Sequence, residues 1–134
     1  MNYDESQDDL DELPPRPRKE IPAADRELLE LAARALGAVH VEDVDGEEWV
    51  NLHFADGSTV FHWNPLVHRD DTLELSVRLE MDIMHRVVGG RRVEVLPPGG
   101  PLTQEFYEGD GLPATCRAVT RAAAEIGKLR PIKR

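Results

Sequence analysis

Cysteine is almost absent: the chain of 134 residues has one, Cys116, so no intramolecular disulfide can form and packing must supply the stability. Cys116 stands in an alanine-rich segment of helical spacing, where a lone thiol is expected to be a small buried hydrophobe; a nucleophile would need a base beside it. Long apolar runs are missing too. No stretch of about 18 uninterrupted apolar residues is present to span a bilayer. Met1-Asn2-Tyr3-Asp4-Glu5 has neither the basic start nor the apolar run of a secretory signal, so a cytoplasmic protein is expected. Phosphate-cradling loops, dinucleotide-binding glycine patterns, nucleophile elbows and internal repeats are not found, and no cofactor is expected. Positive charge is the last shortage. Against 26 Asp and Glu there are 16 Lys and Arg, a net charge of −10 that repels phosphate, so neither nucleic acid nor membrane is an expected partner. The one basic cluster, Lys128, Arg130, Lys133 and Arg134, suits solubility and the helix dipole.

The acidic excess is uneven. Asp4, Glu5, Asp8, Asp9, Asp11 and Glu12 form a run without a basic residue, and removing it changes −10 to −4. Pro14-Pro15-Arg16-Pro17 follows, with few large apolar side chains to offset ordering entropy, so residues 1–21 are expected to be a disordered tail. Residues 22–130 then make a single domain, within the size usual for one core.

Inside that domain, Leu28, Leu31, Ala32, Ala35 and Leu36 recur at the three-and-four spacing of an amphipathic helix, and Gly37 supplies its stop. Val39 to Val44 reads as a short strand leading to a turn at Asp45-Gly46. Trp49 to Phe54 and Thr59 to Trp63 flank Asp56-Gly57, which predicts a tight hairpin. A two-residue turn there pairs Phe54 with Thr59, Leu52 with Phe61 and Val50 with Trp63 on an apolar face. Asn51, His53, Val60 and His62 then take the other face, with His53 and His62 as diagonal neighbours.

From Leu73 to Ile83 two signals conflict. Leu73, Leu75, Val77, Leu79, Met81 and Ile83 alternate with polar residues as in a strand, yet Asp71 and Glu74 have capping-box spacing and Leu, Glu, Arg and Met favour helix. Helix from about Asp71 to Met81 is the reading adopted, with two apolar stripes that suit burial between other elements. Ile83 to Val88 and Arg91 to Leu96 flank Gly89-Gly90 as a second hairpin, and Pro97 to Leu112 is expected to be a loop. Pro113 opens a final helix in which Cys116, Val119, Ala123 and Ile126 share one side, while Ala118, Ala122 and Ala124 permit close approach to a sheet.

Five histidines raise the question of a metal. His62 and His68 bracket a turn near Asp70 and Asp71, which supplies zinc-type donors without a ligand pair at fixed spacing, so no metal site is assigned. His62-Trp63-Asn64-Pro65 shares only residue content with metal-dependent nucleases. Pro65 fixes its own φ and holds Asn64 away from helical angles, so the strand must turn after Trp63. Trp63 and Asn64 are therefore candidates both for structural punctuation and for contact with a partner or ligand.

Trp63-Asn64-Pro65-Leu66, with Asp70-Asp71-Thr72-Leu73-Glu74-Leu75-Ser76-Val77-Arg78-Leu79 after it, resembles the phage ABA sandwich family, small proteins of phages and prophages. Arg26 to Ala35 is similar to that family's opening helix and Arg121 to Gly127 to its closing one. The resemblance spans about residues 24–128 and departs at the acidic tail and at the spacer Val67-His68-Arg69. It implies an α+β protein, a layered α-β-α sandwich of three helices and short antiparallel hairpins, with the Leu73 segment helical. It implies no reaction. A non-enzymatic accessory protein that binds a protein partner is expected. The alternatives are a small metal-dependent hydrolase or nuclease using some of His53, His62, His68 and His85, and an acidic DNA mimic with a contiguous acidic face.

Overall fold

Helix α1, Ala23–Ala35, buries Leu29, Ala32, Ala33 and Ala35 and ends in Gly37 at φ 97°, a left-handed C-terminal position that glycine occupies without a Cβ clash. Leu29, outside the predicted stripe, is its most deeply buried large side chain. The computed structural model describes residues 20–130, so the expected tail lies outside the described residues apart from Glu20 and Ile21. Ile21 packs against the core.

After α1 come β1 (Ala38–Asp43), β2 (Val50–Phe54), β3 (Thr59–Trp63), α2 (Arg69–Arg78), β4 (Asp82–Arg86), β5 (Arg92–Leu96), β6 (Thr103–Phe106) and α3 (Leu112–Lys128). The fold is α+β: the described residues form three helices and two antiparallel sheets of three strands, β1-β2-β3 and β4-β5-β6. The class, the three helices and the short antiparallel hairpins are those expected. One element is not: Thr103–Phe106 lies in the span read as a loop, yet it pairs with β5 from Arg92–Phe106 to Val95–Thr103. Glycine and proline around it mask a strand too short to show periodicity.

Helices α1 and α3 make the most extensive contact between elements. Asp25 meets Arg117 at 3.2 Å, the Leu31 carbonyl lies against Gly127, and Arg130 donates to the Ala35 carbonyl, so the helices run parallel. A Cβ on Gly127 would sit 1.8 Å from the Leu31 oxygen. The small residues of α3 thus admit a helix as well as a sheet, because α3 also packs on β5, β6 and α2. Val50, Leu52 and Trp63 of the first sheet and Val93 and Val95 of the second join Leu29, Leu75 and Val119 in one core.

The first hairpin keeps its glycine turn and changes its register. Gly57 has φ 89°, its N–H bonds to the Phe54 carbonyl at 3.0 Å, and the Phe54 N–H bonds to the Ser58 carbonyl at 3.0 Å. The turn therefore spans Ala55, Asp56 and Gly57 rather than two residues. Leu52 pairs with Val60 and His53 with Thr59, one residue from the predicted alignment, while Val50 still pairs with Trp63. A bulge reconciles the two registers: His62 takes φ 57°, and its N–H bonds to Asn51 Oδ1 at 3.1 Å. Val60 consequently packs on the core and Phe61 is exposed, the reverse of the expected facing.

Helix α2 settles the conflict over Leu73–Ile83 for helix, over Arg69–Arg78. The alternation becomes two stripes at helical pitch. Leu75, Thr72 and Ser76 are buried, with Leu79 half-buried, whereas Leu73 and Val77 face outward, so the helix is covered on one side only. Its end is a Schellman motif: Glu80 has φ 54°, its N–H bonds to the Val77 carbonyl and the Met81 N–H to the Ser76 carbonyl.

Candidate functional site

The Trp63-Asn64-Pro65-Leu66 turn is built from inside. Trp63 and Asn64 are each 3% exposed. Asn64 Oδ1 accepts the Leu66 N–H at 2.9 Å, its Nδ2 donates to the Glu48 carbonyl, and its own N–H donates to Asp71 Oδ2 at 2.9 Å. Thr72 Oγ1 closes the turn by donating to the Pro65 carbonyl at 2.6 Å and also lies 3.3 Å from Cys116 Sγ. Asp71 stands in the first turn of α2, which has His68 as its N-cap residue, so it ties the helix back to the preceding strand instead of capping it. The hydrogen-bonding groups of Asn64 are thus engaged within the fold, and Cys116 is buried.

Around this buried frame the segment turns its apolar groups outward. Phe61 is 67% exposed, Val67 49%, Leu73 64% and Val77 65%. Leu73 and Val77 are one helical turn apart on the free side of α2. Beside the turn, the Trp49 ring has His62 at 4.7 Å and His68 at 6.4 Å between centroids, and His68 Nδ1 lies 3.1 Å from Asp71 Oδ2.

The outer face of the first sheet continues the polar part. His40 and His53 stack at 5.5 Å, His53 Nε2 lies 2.8 Å from Glu42 Oε1, and His53 Nδ1 lies 3.3 Å from Thr59 Oγ1. Asn51 Nδ2 donates to Glu42 at 3.3 Å while Asn51 Oδ1 accepts from His62. Hydrogen bonds from His53 and Asn51, with the charges of His53 and His40, hold the Glu42 carboxyl below its ordinary value. An imidazole between a hydroxyl and a carboxylate can relay a proton. Here the three groups lie open on a sheet, which gives water free access and weakens any stabilisation of developing charge.

The structure brings His62 and His68 to one tryptophan but leaves His53 with Glu42 and Thr59, and His85 in the other sheet on β4. Among the described residues no group of three His, Cys, Asp or Glu side chains is arranged to hold a metal. Sequence reasoning missed His40, Glu42 and Trp49, because their contacts depend on the β1–β2 register and on the loop before β2. Two surface depressions lie elsewhere, one of about 630 Å³ at Gly90, Arg91, Phe106 and Tyr107, and one of about 460 Å³ beside Arg26, Arg34 and Asp43. Among the described residues no helix is long and apolar enough to cross a membrane. Fold and surface together define a small α+β protein with a buried, hydrogen-bonded turn flanked by exposed apolar side chains. No family model, curated protein or solved structure matches the chain.

Proposed function

We propose that this chain is a phage or prophage accessory protein that acts without catalysis by binding a protein partner through the segment from Phe61 to Val77. One observation carries the reading: four large apolar side chains of that segment stand exposed while the frame beneath them is buried and hydrogen-bonded. Rigid apolar groups lose little entropy on docking, which is how interfaces concentrate their affinity. The lineage rests on the resemblance of residues 63–66 and 70–79 to the phage ABA sandwich family. Charge supports a protein partner over DNA mimicry, since Asp25, Glu30, Asp43, Glu94 and Glu105 are interleaved with arginines instead of forming a bare acidic track.

Affinity capture from infected host cells tests the reading, comparing the wild-type chain with Leu73→Asp/Val77→Asp. One partner retained by wild type, lost with the variant and bound again by the purified wild-type chain is the expected result. A partner held equally by a folded variant would overturn the assignment of this surface.

A further inference from the structure

Among the described residues, two three-stranded sheets leave four strand edges, and three of them are guarded. Strand β1 lies against α1, with Asp43 held by Arg26. Strand β6 packs on α3, where Glu105 meets Arg121. Strand β3 carries the His62 bulge, which breaks the row of donors and acceptors that another strand would need. Among the described residues strand β4 has none of these protections. Its register with β5 runs without interruption from Asp82–Leu96 to Arg86–Arg92, and β5 is its one extensive neighbour.

We propose that β4 pairs antiparallel with β4 of a second copy of this chain, about a two-fold axis at Met84. Charge selects that register. With Met84 opposite Met84, Asp82 of each copy faces Arg86 of the other, twice over, and oppositely charged cross-strand pairs stabilise a ladder. Centring the axis on Asp82 or on Arg86 would instead set like charges face to face. Within its own chain Asp82 stands opposite Leu96 and has no ion pair or hydrogen bond from its side chain among the described residues, so the second copy supplies its partner. Val87 and Val88, 70% and 90% exposed, follow directly, and the same register lays Val87 against Met81 of the second copy. The two sheets become one of six strands. So short a ladder buries less surface than a permanent dimer requires, so association is weak and grows with concentration. This surface is separate from the Phe61–Val77 segment, and either reading can fail without the other.

Disulfide trapping in the full-length chain tests the register directly. Residues directly opposite across an antiparallel pair have Cα atoms about 4.5–5.5 Å apart, within the roughly 4.4–6.8 Å that a disulfide spans. Met84→Cys should therefore oxidise to a covalent dimer, whereas Val88→Cys, opposite Glu80 in this register, should not; native Cys116 is buried. Sedimentation velocity should show wild-type dimer rising with concentration. Asp82→Arg should weaken dimerisation roughly tenfold, and adding Arg86→Asp should restore it to within about threefold of wild type. Met84→Lys, which places two ammonium groups at the axis and leaves the core untouched, serves if Arg86→Asp disturbs folding through its bond to Glu94. A monomer at every concentration, equal trapping of Val88→Cys, or a folded double variant that stays dissociated would each overturn the proposal.

Discussion

The two sheets start from similar sequence signals and end differently. Each has three antiparallel strands joined by turns that hold positive-φ glycines, Gly46 and Gly57 in the first and Gly89, Gly90 and Gly99 in the second. In the first sheet both ladders change register, between Ala38 and His40 and again between Val50 and Leu52. In the second both ladders are unbroken. The irregular sheet carries His40, His53, His62 and the exposed Phe61; the regular one carries His85 and the Arg86–Glu94–Arg92 ion pairs, at 3.1 Å each, with Arg92 over the Phe106 ring. A bulge thus re-aims side chains and blunts an edge at once, whereas a regular ladder keeps its edge open to pairing.

The comparison breaks down altogether where both sheets depend on the same helix pair. Gly127→Ala puts a methyl into the Leu31 carbonyl, and backbone cannot give way as a side chain can. A loss of ~3 kcal/mol or more is expected, with both sheets melting in one transition by calorimetry. Separate transitions would show that the sheets do not share the helix contact. Gly57→Val acts on the first sheet alone. A Cβ there would meet nothing within 4 Å, so the cost is that of a β-branched residue at φ 89°, more than ~1 kcal/mol. An unchanged melting midpoint would contradict the turn.

Glu80→Gly sharpens the contrast from the connection between the sheets. Glu80 is exposed and holds the left-handed position of the Schellman motif, so glycine should stabilise by somewhat under ~1 kcal/mol, read as a raised urea midpoint. The smallest effect separates the outer faces by pH. Hydrogen bonds from His53 and Asn51 lower the Glu42 carboxyl, and those from Arg86 and Arg92 lower Glu94. A carboxyl with a lowered folded value contributes stability above its ordinary value of 4.5, and loses it as pH falls through the folded value. Melts between neutral pH and pH values below 4.5 should lose less stability in Glu42→Gln or Glu94→Gln than in wild type. Equal slopes would remove the carboxylate's part.

By itself the sequence determined the α+β class, the helices around Leu29 and Val119, the turn at Gly57 and the break after Trp63. These follow from local rules, namely the spacing of apolar residues, the need for glycine at positive φ and the fixed φ of proline. Composition also decided α2 against its alternation, since helix-forming residues gain local hydrogen bonds without waiting for a neighbouring strand. Only the tertiary structure decided which partner each strand met. The register of β2 with β3 turned on the His62 bulge, and that bulge is held by Asn51 from the adjacent strand. β6 was hidden because so short a strand has no signal apart from the ladder that β5 offers it. Likewise, the outward stripe of Leu73 and Val77 and the meeting of His40 with His53 arise from residues placed by different elements. Pairing of that kind is a sum over distant contacts, and a one-residue slip exchanges the two faces of a strand without altering any local preference.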